Sequence, residues 1–329
     1  MMDEIKPRAL VIGGAGYIGQ MVSREFCRSG WRVTVLDSLI HGPGPKKPLA
    51  ELPGLELVEG DARDLNLVGS LVHGRQAVVM LAALVGERAC DLSPKEAREV
   101  NFQAPADLFA ACRRAGAAKL LFASTDSCYG ARPEEKLTEE SPLAPLTLYA
   151  RLKAEAEAKL LELGQAPGPP AVTILRLATV YGLSPRLRFD LAANLLVREA
   201  VIKKKAVIYS GEQWRPMVHV SDVARAFRMA AEAPLEKVSG QVFNVGADDQ
   251  NIQFKTLGAL IGELAPEAVI ETVPADPDLR DYFVKFGKIE SVLGYKSEVA
   301  LKAGLRELKQ AIEGGFPPNP YDQVWRNAP

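Results

Sequence analysis

The stretch ALVIGGAGYIG, from Ala9 to Gly19, decides the fold of this chain, because an apolar run leads directly into three evenly spaced glycines. The run predicts a buried β-strand, and Gly13, Gly16 and Gly19 predict the tight turn of a dinucleotide-binding site. In such a turn the first glycine makes the bend, the second lets the backbone approach a pyrophosphate, and the third lets the next helix pack close to the strand. The helix N-terminus then presents free N–H groups and the positive end of its dipole to the phosphates.

A second predicted strand, Trp31–Leu36, ends in Asp37, which follows the glycine-rich turn at the spacing expected of a ribose-binding acid. An acidic side chain at this point accepts hydrogen bonds from the adenosine ribose hydroxyls and repels a 2′-phosphate. The sequence therefore favours NAD over NADP as the cofactor. A third predicted strand, Leu55–Val58, leads to Asp61, which we expect at the edge of the adenine pocket.

The composition describes an ordinary soluble enzyme, since 47% of the 329 residues are hydrophobic and the formal net charge is −1. The basic residues are dispersed, and the run from Lys203 to Lys205 is typical of the solvated end of a helix, so no nucleic-acid partner is expected. We find no signal-peptide core and no apolar run long enough to span a membrane, which predicts a cytoplasmic protein. Four widely spaced cysteines and three histidines predict neither a disulfide framework nor a metal site.

Strand-like and helix-like runs alternate through the first half of the chain, which predicts an α/β fold with a doubly wound parallel sheet. A later strand, Gln241–Val245, is expected to complete the sheet. We therefore assign residues 1–181 and 212–246 to an NAD-binding Rossmann domain. Residues 182–211 and 247–329 are richer in proline and glycine and less regular, which predicts a smaller C-terminal substrate-binding cap and an irregular tail from Gly314.

A tyrosine and a lysine lie four residues apart in a predicted helix that begins after Thr147 and ends at Gly164. This spacing places Tyr149 and Lys153 on one helix face. A tyrosine hydroxyl titrates near pH ~10, but a neighbouring ammonium and an oxidised nicotinamide ring both favour the phenolate. Tyr149 is thus a candidate general base, and the hydroxyl-rich turn STDSCYG, which follows the predicted strand Lys119–Ala123, is placed to bind substrate.

These motifs together resemble the extended branch of the short-chain dehydrogenase/reductase family, and within it the nucleotide-sugar epimerases and dehydratases. The resemblance also rests on MLAALVG, EVNFQAP, LYARLK, LRLATVYG, RPMVHVSDVA and FNVG, so it runs through nearly the whole chain. It implies a nucleotide-sugar substrate and NAD as cofactor. The implied cofactor-binding residues are Gly13, Gly16, Tyr17, Ile18, Gly19, Asp37, Asp61, Ala62, Leu81, Ala82, Ala83, Asn101, Tyr149 and Lys153.

The resemblance also implies roles in chemistry and substrate binding. Thr125 would hydrogen-bond the sugar hydroxyl that is oxidised, Tyr149 would act as base, and Lys153 would be its electrostatic partner and a ribose anchor. Arg215 and Arg280 would bind the substrate diphosphate through their planar guanidinium groups, or else pair with surface carboxylates. Arg186 and Arg188 are candidates for the lining of the cap pocket. The full set of candidate substrate-binding residues is Thr125, Thr179, Arg188, Asn194, Arg215 and Arg280.

Three departures from the family pattern bear on the reaction. Dehydratases often carry Thr-Asp-Glu where this chain has Thr125, Asp126 and Ser127, so the acid candidate Asp126 is present but the usual base for the C5 proton is missing. Thr179 replaces an asparagine found in many epimerases, and Met80 replaces a more usual histidine. These changes leave the sugar and the nucleotide base undefined.

The resulting hypothesis is an NAD-dependent nucleotide-sugar epimerase that acts at C4 by transient oxidation. A 4,6-dehydratase or a 4-ketosugar reductase on the same scaffold is the alternative, and a non-catalytic dinucleotide sensor is the more remote one. A homodimer is expected through the predicted helices Lys95–Ala115 and Thr147–Leu163, whose alanine-rich faces permit close approach.

Overall fold

The computed structural model describes residues 6–42, 44–274 and 280–327. The β-strands within these ranges are β1 (Arg8–Ile12), β2 (Arg32–Asp37), β3 (Leu55–Glu59), β4 (Ala77–Met80), β5 (Lys119–Thr125), β6 (Ala131–Leu137), β7 (Ala171–Leu177), β8 (Thr179–Tyr181), β9 (Lys205–Tyr209), β10 (Trp214–His219), β11 (Gln241–Val245), β12 (Asn251–Gln253), β13 (Val269–Val273) and β14 (Asp281–Val284). The α-helices within them are α1 (Tyr17–Arg28), α2 (Lys46–Ala50), α3 (Leu65–Leu71), α4 (Glu87–Leu92), α5 (Pro94–Arg98), α6 (Ala104–Ala115), α7 (Leu148–Gly164), α8 (Ala192–Lys203), α9 (Val220–Glu232), α10 (Leu235–Val238), α11 (Phe254–Leu264), α12 (Gly287–Leu293) and α13 (Leu301–Glu313).

The central element of the described chain is a seven-stranded parallel sheet in the order β11-β7-β5-β4-β1-β2-β3. The chain starts in the middle of this sheet, builds β2 and β3 on one side of β1, and then returns to build β4 on the other side. The order reverses between β1 and β4, and ligands in doubly wound sheets bind beyond the carboxyl ends of the strands at such a reversal. The predicted fold class is confirmed.

The two faces of the sheet carry separate hydrophobic cores, because side chains alternate along each strand. In β1, Ala9 and Val11 belong to the core that includes residues of α1 and α9, whereas Leu10 and Ile12 belong to the core on the opposite face, with residues of α3, α6 and α7. All four are buried. This burial on both faces explains why β1, β4 and β5 are nearly continuous apolar runs.

Two strands in the second half of the chain, β11 and β10, belong to different sheets. The strand Gln241–Val245 pairs with β7 and completes the large sheet, as predicted. The strand β10, which was assigned to the Rossmann part, instead pairs with β8 and β12 in a small separate sheet. The division into domains as such stays a prediction.

The cap is more regular than its proline and glycine content suggested. Within its described residues, α8, α11 and α13 pack around a third apolar core of their own. Helix α13 places Leu301, Leu305, Leu308 and Ile312 on one buried stripe, at the spacing of an amphipathic helix. The lack of regular strand–helix alternation thus does not mean a lack of helices, and the periodicity of α13 was a signal for one of them. The described residues after Gly315 hold turns and one short 3-10 segment, as expected of an irregular tail.

None of the helices within the described ranges combines the length and the apolar character needed to cross a membrane. The four cysteines are free thiols. Among the described residues, no group of three or more histidine, cysteine, aspartate or glutamate side chains is arranged to hold a metal ion. The cytoplasmic location stays a prediction.

Candidate active site

A cavity of ≈ 610 Å³ lies beyond the carboxyl ends of the central strands, where the strand order reverses. This volume lies in the range of sites for small molecules and cofactors. Most of the residues singled out in the sequence line it. They are Gly13, Gly16, Tyr17, Ile18, Gly19, Asp37, Asp61, Ala62, Leu81, Ala82, Ala83, Thr125, Tyr149, Lys153, Thr179, Arg188 and Arg280. Four other candidates from the described residues, Asn101, Asp126, Asn194 and Arg215, do not line it.

The glycine-rich turn has the geometry that its sequence predicts. Gly13 has a φ of +83°, and a Cβ there would lie 2.6 Å from the backbone nitrogen of Ala82, in the loop after β4. A Cβ at Gly19 would overlap the carbonyl oxygen of Gly13. Gly16 differs, because a Cβ there would meet only the Gly13 oxygen, at 3.3 Å, while the residue itself lines the cavity. Its backbone is thus open to close approach by a pyrophosphate, which is the fit that a bound dinucleotide requires.

The two acids expected near the adenosine are both at the cavity, in different electrostatic settings. The Asp37 carboxylate accepts hydrogen bonds from the backbone nitrogens of Ala15 (2.9 Å) and Leu39 (2.8 Å), which aim it at the turn. Burial raises its pKa, and these backbone bonds oppose the shift. The Asp61 carboxylate hydrogen-bonds the Arg63 guanidinium, which lowers its pKa. Asp37 is therefore the acid positioned for the ribose, and Asp61 borders the cavity as an ion pair.

Asn101 acts on the cofactor site indirectly. Its Nδ2 donates to the carbonyl oxygen of Leu84 and its Oδ1 accepts from the nitrogen of Leu84, both at 2.9 Å. These bonds hold the loop that follows β4, whose residues Leu81 to Gly86 line the cavity. Asn101 itself is fully buried, in a turn of π-helix at Glu99–Gln103. The structure thus places it behind the cavity wall as a positioning residue.

The hydroxyl-rich turn after β5 brings Thr125 and Ser127 to the cavity. The Thr125 Oγ1 accepts a hydrogen bond from the backbone nitrogen of Ser127 at 3.1 Å and so caps the 3-10 turn Asp126–Tyr129. That bond uses an acceptor lone pair of the hydroxyl and leaves its proton available for donation. Thr125 can therefore donate to, and orient, a substrate oxygen.

Tyr149 and Lys153 both line the cavity from the first turns of α7. This helix begins where predicted, because the Thr147 Oγ1 accepts a hydrogen bond from the nitrogen of Ala150 at 3.3 Å. The Lys153 ammonium donates to the carbonyl oxygen of Ala123 at 2.7 Å and lies 4.3 Å from the centre of the Phe122 ring. Burial lowers its pKa to about 8.

The cation that acts on Tyr149 in this structure is an arginine from the cap. Burial raises the pKa of Tyr149 above its usual value, and the positive charge of Arg188 opposes this shift. Arg188 is itself fixed by Asp190, with Nε to Oδ1 at 3.1 Å and Nη2 to Oδ2 at 2.5 Å. The role of Lys153 as electrostatic partner stays a prediction, and Arg188 is a second cation whose charge acts on Tyr149.

Asp126 is turned away from the cavity that its neighbours line. Its side chain is fully buried, and neither carboxylate oxygen has a hydrogen-bond partner among the described residues. Burial raises its pKa well above the usual range. Asp126 does not line the cavity in this structure, unlike its neighbours Thr125 and Ser127, and its role as catalytic acid stays a prediction.

A buried polar network behind the site was missed in the sequence. Glu157, one further turn along the α7 face that carries Tyr149 and Lys153, accepts from the Arg176 guanidinium at 2.7 and 3.0 Å and from the Ser124 hydroxyl. Arg176 also donates to the Tyr129 hydroxyl at 2.9 Å. Strand β5 is thereby joined to α7 and β7 beneath the cavity. The repeat of Tyr, Lys and Glu at intervals of four was the available signal.

Two of the candidate substrate residues hold backbone instead. The Asn194 Oδ1 accepts from the nitrogen of Gly182 and its Nδ2 donates to the carbonyl oxygen of Arg188, each at 3.0 Å, so it shapes the loop between β8 and α8. Arg215 is buried, and its guanidinium donates to the carbonyl oxygen of Arg280. The Arg280 guanidinium does reach the cavity, where it pairs with Glu87 at 2.9 Å.

The model of the NAD dependent epimerase/dehydratase family matches residues 9–246, which include the glycine-rich turn and the Tyr149–Lys153 pair. The chain belongs to this family. NAD is its cofactor, and the prediction of an NAD-dependent enzyme of the epimerase and dehydratase type is confirmed. The open backbone at Gly16 and the position of Asp37 fit a bound dinucleotide, and their roles in binding it stay predictions.

Relatives within the family carry out different reactions. The dTDP-glucose 4,6-dehydratase of Streptomyces niveus is 30% identical over 315 residues, which are 91% of each chain. The UDP-glucose 4-epimerase of Azospirillum brasilense is 29% identical over 293 residues, which are 82% of each chain. Among solved structures, MoeE5 in complex with UDP-glucuronic acid and NAD superposes with a TM-score of 0.82 at 28% identity, over 94% of this chain and all of its own.

Proposed function

We propose that the protein is an NAD-dependent nucleotide-sugar epimerase that acts at C4 of the sugar. The observation that carries this choice is the placement of the hydroxyl-rich turn: Thr125 and Ser127 line the cavity with Tyr149, whereas Asp126 is buried behind it. Such a cavity offers groups that remove and return a hydroxyl proton. It offers no acid at position 126 to protonate a leaving hydroxyl, and Ser127 stands where a dehydratase base would be.

The mechanism needs one base used in both directions. Thr125 donates a hydrogen bond that orients the C4 oxygen, and Tyr149 as the phenolate removes the hydroxyl proton. The charge of Arg188 opposes the effect of burial only in part, so the pKa of Tyr149 stays above its usual value in this structure. The positive charge of an oxidised nicotinamide ring, together with Lys153 at the same cavity, would favour the phenolate further. Bound NAD supplies the hydride acceptor. Tyr149 holds the proton while the ketosugar turns in the cavity and then returns it to the C4 oxygen, and the reduced cofactor would supply the hydride to the opposite face.

The proposed substrate class rests on Arg280, a positively charged residue that lines the cavity. Arg280 is a lining residue whose planar guanidinium suits the oxygens of a diphosphate. Its backbone is held by Arg215, and its side chain by Glu87. We expect the substrate diphosphate to replace Glu87 as the partner of Arg280. The curated dehydratase and epimerase relatives are named for nucleotide sugars, which supports the same substrate class for this chain.

A 4,6-dehydratase is the second candidate, because the relative from Streptomyces niveus is one and Asp126 is retained here. The two reactions differ in whether they need the carboxyl group of Asp126. An epimerase should tolerate Asp126→Asn, since the amide matches the size of a carboxyl group that does not line the cavity. A dehydratase that used Asp126 as its acid would lose turnover in this variant while still oxidising the sugar.

The deciding experiment incubates the purified protein, without added cofactor, with UDP-, GDP-, dTDP- and CDP-sugars, uronic acids included, and identifies products by mass spectrometry and NMR. A product of unchanged mass and inverted C4 supports the proposal. Loss of water supports the dehydratase, and loss of carbon dioxide from a uronic acid supports decarboxylation after the same oxidation. Turnover only of ketosugars, with added NADH consumed, supports a reductase. Each of these three results overturns the epimerase proposal.

We further propose that the enzyme is a homodimer through the outer faces of α6 and α7. The two helices lie on the same side of the sheet and contribute to one core. Their outward positions include small residues that are only partly covered, Ala106 and Ala110 on α6 and Ala154 on α7. Light scattering should give twice the chain mass at micromolar concentration, and Ala154→Arg should shift it to the monomer. A wild-type monomer would contradict the proposal.

A further inference from the structure

One cation at the cavity has no role in the chemistry described above. Arg186, in the loop between β8 and α8, lines the cavity, yet only 2% of its surface is exposed. It was a candidate for the cap pocket in the sequence, beside Arg188. The loop that carries it is hydrogen-bonded to Tyr17, beside the glycine-rich turn, and the charge of Arg186 and that of the Asp37 carboxylate act on each other.

The loop that carries Arg186 is fastened to the start of α1. The Tyr17 hydroxyl donates to the carbonyl oxygen of Gly182 at 2.9 Å, and the Ser184 hydroxyl donates to the carbonyl oxygen of Tyr17 at 2.8 Å. Tyr17 is the first residue of α1, directly after Gly16. Arg186 therefore extends from a segment that is bound to the helix N-terminus where the glycine-rich turn meets its ligand.

The guanidinium of Arg186 is buried without a hydrogen-bonded carboxylate. Nη1 donates to the Asn327 Oδ1 at 2.6 Å and Nη2 to the carbonyl oxygen of Arg326 at 3.2 Å, both neutral acceptors. Nε has no hydrogen-bond partner among the described residues. Its neighbour Arg188 is different, since Asp190 binds it in bidentate fashion. A buried charge whose hydrogen bonds all go to neutral groups is costly, and an anion in the adjoining cavity would compensate it.

We propose that Arg186 binds the pyrophosphate of NAD, and that the C-terminal segment that contains Arg326 and Asn327 holds it in place for this purpose. The pyrophosphate fits better than the two other phosphate sources. A 2′-phosphate would meet the Asp37 carboxylate, and the substrate diphosphate is expected at Arg280. Burial and the charge of Arg188 lower the pKa of Arg186 to about 10, a shift that a bound pyrophosphate would reverse.

The C-terminal segment thereby becomes part of the cofactor site. Its path is fixed by a hydrogen bond from the nitrogen of Phe189 to the carbonyl oxygen of Trp325 at 2.8 Å, and Asn327 itself lines the cavity. The Trp325 ring also packs edge-on against Phe316, with 6.3 Å between the ring centres. The segment is thus anchored to the cap on one side and reaches the cofactor through Arg186 on the other.

The test measures NAD itself, so it is independent of which reaction the enzyme catalyses. Arg186→Gln, Arg186→Lys and the control Arg306→Gln, an exposed arginine on α13, are compared for the NAD retained on purification and for exchange of bound NAD with labelled NAD. Loss of a charged hydrogen bond should speed exchange in Arg186→Gln roughly 10- to 100-fold. Arg186→Lys should be intermediate, and Arg306→Gln unchanged. Wild-type exchange in Arg186→Gln would overturn the proposal.

Calorimetry with smaller probes identifies the phosphate concerned. In Arg186→Gln, we expect weaker binding of ADP and unchanged binding of adenosine and UDP. A loss confined to UDP would assign Arg186 to the substrate, and a loss confined to NADP would assign it to a 2′-phosphate; either result overturns the pyrophosphate assignment. Asn327→Ala covers the case in which Arg186→Gln does not fold. It removes the 2.6 Å bond and should also speed NAD exchange, and an unchanged rate would overturn the role of the C-terminal segment.

Discussion

The cavity has a cofactor half, around the glycine turn, and a catalytic half, around Tyr149, and the two differ in whether backbone or side-chain groups form them. In the cofactor half, backbone dominates: the glycine turn, the loop after β4, and Asp37 held by two backbone nitrogens. In the half that carries Tyr149, buried side chains dominate, with Lys153 packed on Phe122 and Glu157 paired to Arg176. Backbone N–H groups bind phosphate without a desolvated charge of their own, whereas buried side chains shift proton affinities at a cost in stability. Changes in the two halves should therefore affect different measurements.

The largest effect is expected from Tyr149→Phe, which removes the base and leaves the glycine turn intact. Turnover should fall by roughly 10²- to 10⁴-fold, the usual contribution of a general base, while NAD remains bound. Rate measurements with NAD quantified in the same samples check both parts. Tyr209→Phe is the control, since Tyr209 is 65% exposed and lies outside the cavity lining. An active Tyr149→Phe enzyme would refute the mechanism, and loss of NAD would show that the two halves are not separable.

The next effect concerns the ion pair beneath the site. Glu157→Gln leaves the Arg176 guanidinium buried without its carboxylate and should lower the free energy of unfolding by about 3–5 kcal/mol. Glu155→Gln on the same helix is the control. Its partner Arg98 lies at 3.0 Å, but both side chains are about half exposed, so the loss should stay below about 1 kcal/mol. Urea unfolding measures both variants.

A double variant tests whether the loss of stability in Glu157→Gln comes from the unpaired charge of Arg176 or from the loss of the ion pair as such. Glu157→Leu with Arg176→Met removes both charges and should recover most of the stability that Glu157→Gln loses. If the double variant is as unstable as the single one, the network stabilises the fold through its further bonds to Ser124 and Tyr129.

The sequence predicted the cofactor half more fully than the chemical half, for a physical reason. Gly13, Gly16 and Gly19 act through local backbone geometry, so their meaning is contained in seven consecutive residues. The direction of the Asp126 side chain depends on the packing of distant elements. From the sequence it was a catalytic acid, but the turn that Thr125 caps places it behind the wall. The pattern of apolar residues in the sequence is enough to predict strands. It does not show which residues of the turn after a strand face the cavity.

Contacts between distant parts of the chain were the hardest to foresee. Arg186 meets Asn327 across 141 positions, and no local pattern marks either residue as a partner of the other. Asn194 and Arg215 matched family positions for substrate binding, yet both satisfy backbone groups in this structure. A sequence motif predicts a residue type and its approximate position in the fold. The hydrogen-bond partner of a polar side chain also depends on the conformation of loops, which motifs do not describe.

A smaller, pH-dependent effect is expected from Lys153. Burial lowers its pKa to about 8 in the folded protein, while an unfolded chain keeps the ordinary value near ~10.4. Between these values the unfolded state binds more protons, so stability should rise with pH. The wild type should gain about 2–3 kcal/mol relative to Lys153→Met from pH 7 to pH 10. Unfolding at a series of pH values tests this, with the surface variant Lys159→Met as control; parallel curves for all three proteins would contradict it.

The smallest expected effect compares a helix cap at the catalytic half of the cavity with one outside the cavity lining. Asp64 caps α3 by accepting from the nitrogens of Asn66 and Leu67, and Thr147 caps α7 by accepting from that of Ala150. Replacing either with alanine should cost about 1 kcal/mol of stability, measured by urea unfolding. The consequences for rate should differ, because α7 carries Tyr149 and Lys153 in its first two turns, whereas Asp64 does not line the cavity.

Thr147→Ala should therefore also lower kcat, and Thr147→Ser should restore both stability and rate. Asp64→Ala should leave kcat unchanged. Equal losses of kcat in the two alanine variants would mean that general loosening of the fold, and not the position of Tyr149, limits the reaction. A loss confined to Thr147→Ala would show that the rate depends on the exact start of the helix that carries Tyr149 and Lys153.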